Sequence, residues 1–288
     1  MTLAFFSAIL LTSYFPRSGL AQTSEVTFAD SYKTYQEAIE AYQIAHQDYI
    51  LKRSQYLRFK TQTAQTAAHD STAAMLQARD GAVIRYSLAL KARVNEAIGV
   101  TQARKDALNF KIDEEVLWFS DHKERVPSAG TLDDLVKDSN EAKTRFEGNE
   151  GLYYEILANV GLGKINDFIL RMEEQVIDLR EKVDEIRSEE RDDFRFSDRK
   201  LQILDRWIFE AETRIIRAKE KRAEAENLIT GLSTVQKGSG LSKYNDVVKT
   251  LGESQLFLKE AAAFLQEIIR EIKTLKITDS TEVPTKRK

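Results

Sequence analysis

The feature that most constrains this chain is a pair of heptad seams separated by a short polar stretch. Ile165, Ile169, Met172, Val176, Leu179, Val183 and Ile186 are spaced alternately four and three residues apart, with Glu, Arg, Lys and Asp filling most positions between them. That spacing is the a/d signature of a helix whose apolar stripe closes against a partner helix. A second seam follows at Leu201, Leu204, Ile208, Ala211, Ile215 and Ala218, passes Arg222, and resumes at Ala225 and Ile229. The intervening "SEERDDFRFSDRK" is too short to return the chain for a parallel pairing, so the two seams predict an antiparallel helical hairpin.

The rest of the chain reads in the same way. Tyr35, Tyr42, Tyr49 and Tyr56 are each seven residues apart, and Phe28 lies seven before the first. Ala38 and Ala45 share their face, so large and small side chains alternate as they do where helices pack. The stripe is expected to be a packing seam rather than a ligand-gripping ladder. Thr27 to Asp30 has the spacing of a capping box, and the helix it opens is expected to run unbroken to about Ala68, with Asp70 or Ser71 capping the next. Thr101 is expected to cap a helix reaching about Lys123, and Thr131 with Asp134 a short helix behind "RVPSAGT". "GLSTVQKGSG" reads as a flexible linker, and a last helix carries Tyr244, Leu251, Leu258, Leu265 and Ile272. Only 3 prolines and 12 glycines punctuate 288 residues, which favours long helices. The fold expected is all-α: an elongated bundle of about six to seven helices with an antiparallel coiled-coil hairpin.

Residues 1–21 have the form of a cleaved signal peptide. Leu3 to Phe15 is an uncharged, largely apolar run too short to span a bilayer well, and Gly19-Leu20-Ala21 supplies the small residues of a cleavage site before Gln22. The division expected is then a long-helix region over 22–126, a turn and short helix over 127–150, a coiled-coil bundle over 151–276 and a disordered tail over 277–288. The chain has no cysteine, so an exported form is held by packing alone. The formal net charge of −3 gives no bulk attraction to nucleic acid or anionic lipid, and the only basic cluster expected is the terminal "TKRK", too short to mark a binding surface. No transmembrane span is expected after cleavage.

Residue patterns that carry chemistry are sparse. His46, His69 and His122 have no second His at i+3 or i+4, and His46 and His69 are expected to be exposed polar positions. The acidic groups at 113–115, 133–134 and 189–193 lack the Gly-centred loop of a calcium site and read as solvated helix termini. "VGLGKI" and "GSGLSK" lack the complete phosphate-loop pattern. Trp118 and Trp207 lie in amphipathic stretches, as core or as an interface anchor. No catalytic, cofactor or metal residue is assigned. The interaction candidates are Phe194 and Phe196, on the polar turn between the two seams, where they would either form an apolar tip or fold back on the stalk.

Taken together, the leader, the tyrosine-spaced first helix, "VPSAGTLDDLV" and "LANVGLGKI" before the heptads resemble uncharacterised exported helical proteins of reduced-genome bacteria. The resemblance implies a source and no activity. The function expected is a non-enzymatic scaffold or interaction module of the cell envelope or exterior, with a protein partner or self-association, and a membrane-active helical protein as the alternative.

Overall fold

The computed structural model describes residues 26–189, 196–234 and 238–279, with side chains described as far as Thr274. Among these residues the fold is all-α, without a strand. The helices are α1 (Phe28–Phe59), α2 (Gln62–Glu96), α3 (Gln102–Arg125), α4 (Leu132–Gly148), α5 (Glu150–Ser188), α6 (Asp198–Thr230) and α7 (Gly240–Asp279). Short 3₁₀ turns at Val126–Ser128 and Leu232–Thr234 complete the path.

Several helix starts are each fixed by one hydroxyl. Thr27, Thr101, Thr131 and Ser197 each accept a hydrogen bond from the backbone N–H three residues on, satisfying an orphan donor of the first turn. The first stop is different. α1 ends at Phe59, where Lys60 adopts a left-handed conformation at φ 51° and its N–H donates to the Tyr56 carbonyl. Thr61 then caps α2. The expected break at Asp70 or Ser71 is therefore wrong by nine or ten residues. Ser71 and Thr72 are buried inside α2, where their hydroxyls donate back to the Ala68 carbonyl at 3.1 and 2.6 Å. A hydroxyl that can satisfy itself on the preceding turn is compatible with a helix interior, so a cap-type residue is not a stop.

The two expected seams close as an antiparallel pair, and α7 completes them as a three-helix stalk. Arg180 pairs with Glu212 at 2.5 Å, Arg187 with Asp205 at 2.6 Å, and Glu173 with Lys219, so numbers rise on α5 as they fall on α6. The same inverse order joins α6 to α7 through Arg214–Glu260 and Lys221–Glu253. Ile169, Val176, Val183, Ile186, Leu201, Leu204 and Ile208 are buried in one continuous core with Leu251, Leu258, Leu265 and Ile272, while Met172 and Leu179 pack against it half-buried.

The expected flexible linker is partly a packed element. Leu232 is fully buried, and its carbonyl lies 2.2 Å from where a Cβ on Gly151 would sit, so that crossing requires glycine. Residues 235–237 lie outside the described residues. The expected tail begins too early, since α7 continues to Asp279. The expected signal peptide at 1–21 and residues 280–288 also lie outside the described residues.

α1 packs along α2, and α2 to α5 enclose a second core around Leu90, Val94, Leu108, Ile112, Ile156 and Val160. Gly163 of "VGLGKI" serves this junction. Gly99, at φ 74°, crosses Gly163 so closely that a Cβ on Gly163 would lie 2.6 Å from the Ile98 carbonyl oxygen. The segment is a helix-crossing point inside α5, which accounts for Gly163 without a phosphate.

Candidate functional site

Three titratable clusters that the linear sequence separates are brought into the interior between α2, α3, α4 and α5. In the first, Asp80 of α2 and His122 of α3 form a fully buried pair, Nδ1 to Oδ2 at 2.6 Å. The other ring nitrogen faces the Asp138 backbone carbonyl of α4 at 3.1 Å. A carbonyl only accepts, so Nε2 is the donor there, while Nδ1 faces the Asp80 carboxylate. Arg79 reaches Asp80 Oδ1 at 3.3 Å and Ser139 Oγ at 3.2 Å. The indole of Trp118 stacks on the His122 ring, with centroids 5.1 Å apart and planes 12° from parallel.

The second cluster is Glu115 of α3, buried beneath a two-pronged pairing with Arg145 of α4. The Arg145 guanidinium also lies 5.6 Å from the Trp118 ring centre. In the third, buried Glu155 of α5 takes Arg104 at 2.7 Å and Lys111 at 3.0 Å, with Arg104 also donating to Asn159 Oδ1 at 3.0 Å. These carboxylates fix the packing of α2, α3, α4 and α5 by directed pairs, because each would be strongly destabilising if left alone in the interior.

The stripe of tyrosines is half-buried, along the side of α1 that carries Tyr42 and Tyr49 against Met75 and Leu76 of α2. Tyr35 extends into the interior through ring contacts with Tyr86, then Tyr153, then Phe146, at centroid separations of 5.3 to 5.5 Å. Burial, then neighbouring Tyr154 and Tyr244, pushes the Tyr86 hydroxyl up to about 12. Burial drives Tyr35 and Tyr153 up as well, followed by Tyr86 for the first and the Glu115 charge for the second. Burial, then Arg93, lowers Lys164. Tyr56 is half-buried on the outer part of α1.

Of the interaction candidates, Phe196 is only 8% exposed and belongs to the stalk core, whereas Phe194 lies outside the described residues. His69 departs from the exposed position expected of it: half-buried, its Nε2 contacts the Ala129 carbonyl at 2.9 Å. Glu115 likewise departs from the solvated helix terminus expected for the 113–115 group, because α4 delivers Arg145 over it. Trp118 and Trp207 are both half-buried, the latter against the stalk core.

Chemically, the arrangement offers little open reactivity. An open groove of about 430 Å³ lies between α3 and α4, lined by Trp118, Asn140, Glu141, Thr144 and Arg145. Trp118 stands between that groove and His122, whose two nitrogens are both engaged. His122, Asp138 and Glu141 can offer ligand atoms within 4.8 Å of one another, yet Glu141 already pairs with Arg125 at 2.9 Å. The sequence reading missed Asp80, Glu155 and the role of His122 altogether. Asp80 and His122 are 42 positions apart, and only the α2–α3 turn aligns them. Comparisons with protein-family models, curated proteins and solved structures return no match to this chain.

Proposed function

We propose that this chain is an exported, non-enzymatic helical scaffold or protein–protein interaction module of the cell envelope or exterior. The observation that carries the reading is the outer face of α5 and α6. Leu170 and Ile177 of α5, with Phe209 and Ile216 of α6, are exposed beside the ion pairs Arg180–Glu212 and Glu173–Lys219. Each apolar pair is seven residues apart, one position outside the buried seam, so each helix carries an apolar stripe on its solvent side. The pairing register sets Ile177 and Ile216 at the same height on either side of the ladder. Large apolar groups that flank a rigid, ion-paired surface suit a macromolecular partner or a second copy.

Two further features support the reading. α5 alone spans about 58 Å at ~1.5 Å per residue, which suits a spacer. The buried carboxylates described above are consumed as partners of basic side chains. Export rests on residues 1–21, and the membrane-active alternative is not adopted: no helix among the described residues is long and apolar enough to cross a membrane.

The test is fractionation of cells making the native chain, followed by crosslinking and pull-down from the envelope and medium fractions. The expected result is a processed chain outside the cytoplasm, with a crosslinked partner or dimer lost in the Ile177→Ser/Phe209→Ser variant at unchanged helicity. A cytoplasmic chain beginning at Met1, or crosslinks indifferent to that variant, would refute the proposal.

A further inference from the structure

Where α1 turns into α2, the hairpin reaches past the rest of the bundle. From Ile50 to Ala67 no residue is buried, and none belongs to a core cluster. The core begins again at Tyr49 on α1 and Ala68 on α2, beside the His69 contact with Ala129. This projecting tip contains Lys52, Arg53, Arg58 and Lys60, and no Asp or Glu occurs between Asp48 and Asp70. None of the four cations has an ion-pair partner among the described residues, and the Arg58 guanidinium lies 5.2 Å from the Phe59 ring centre. A chain of net charge −3 thus concentrates four positive charges at one extremity. Asp48 is about 16 Å from Phe59 along the helix, beyond the ~8 Å screening length of physiological salt, but only about 6 Å from Lys52, so Arg58 and Lys60 at the far end carry the tip's local positive field.

The same tip exposes Ile50, Leu51, Leu57 and Phe59, at 53%, 52%, 55% and 60%. At 100° per residue, Ile50 and Leu57 fall on one flank, Phe59 on the other, and Leu51 between them. Together they cover about 200° of circumference, all of it away from the side on which Tyr49 and Tyr56 lie. A flat protein surface would cover one stripe of such a helix. A surrounding medium covers all of it.

We propose that the α1–α2 tip docks on an anionic lipid bilayer surface, with Leu57 and Phe59 entering the headgroup–acyl boundary and Lys52, Arg53, Arg58 and Lys60 held by the lipid charge. Interfacial docking of this kind needs apolar groups reaching ~5–10 Å into the boundary, and Ile50 and Leu51 lie about 12 Å behind Phe59, level with the headgroups. Each cation near such a surface strengthens binding about fivefold. This site is separate from the α5–α6 face and does not depend on it.

The experiment is sedimentation of the full chain with vesicles of phosphatidylcholine alone and with 30% phosphatidylserine, at low and high salt. The expected result is binding that appears with phosphatidylserine, weakens in high salt, and falls on the order of 100-fold or more when the four tip cations are changed to Gln. Leu57→Ser/Phe59→Ser should lower it at least tenfold, with helicity and melting unchanged because these side chains are already exposed. Lys286→Gln/Arg287→Gln/Lys288→Gln, which removes the terminal basic cluster, is expected to leave the phosphatidylserine-dependent part in place. The proposal is overturned if binding is equal on both vesicles, if it follows the terminal cluster instead of the tip, or if the tip binds soluble polyglutamate and not vesicles.

Discussion

Changing Asp80 to Ala tests whether the buried pair with His122 organises the α2–α3–α4 interior. The carboxylate is fully buried, faces His122 Nδ1 at 2.6 Å, and meets Arg79 at 3.3 Å. Its removal strands the ring Nδ1 and weakens the hold on Arg79, which keeps only its Ser139 contacts at 3.2 and 3.4 Å. Breaking a buried pair by deleting one member costs about 3–5 kcal/mol, and here no water-exposed route lets His122 recover a partner. For a chain of this size that is roughly a 10 °C fall in melting temperature. Asp80→Asn keeps the shape and one acceptor, so it should lose less, about 1–3 kcal/mol. The decisive variant is Asp80→Leu/His122→Leu. Taking both partners away removes the uncompensated group, so the double variant should be more stable than the sum of the two single losses implies. Guanidinium unfolding followed by helical circular dichroism measures each loss as a midpoint shift at constant slope. If Asp80→Ala loses less than about 1 kcal/mol, or the double variant shows plain additivity, the pair does not carry the packing attributed to it.

Two other outcomes follow from burial. Ile208 is closed inside the three-helix seam while Leu179 is half-buried, so Ile208→Asp should cost several kcal/mol and Leu179→Asp clearly less, and equal melting shifts would contradict the described seam. The buried tyrosine hydroxyls are raised above the ordinary value, so the folded chain keeps protons that the unfolded chain releases: their contribution is complete below about pH 10 and is lost as pH rises towards 12. Tyrosinate absorbance should therefore rise in part only as helical signal disappears, whereas full ionisation of a still-folded chain would rule this out.

What the sequence determined by itself was most of what repeats or caps locally. The heptads from Ile165 to Ile186 and from Leu201 to Ile229 defined helices, buried faces and their antiparallel pairing, because a 3.5-residue period leaves one stripe to cover. The threonines at 27, 101 and 131 marked starts, because a cap is made within three residues. The tertiary structure decided what depends on distant encounters. α7 is the third stalk helix, and Asp80 meets His122 only after the chain folds back. The α1–α2 break went unread for a different reason, since a Lys in a left-handed conformation carries no compositional mark. The acid-free stretch from Tyr49 to His69 was present in the linear sequence. Its four cations are dispersed among neutral residues, and they gain meaning only when the hairpin lifts them clear of the core as one surface.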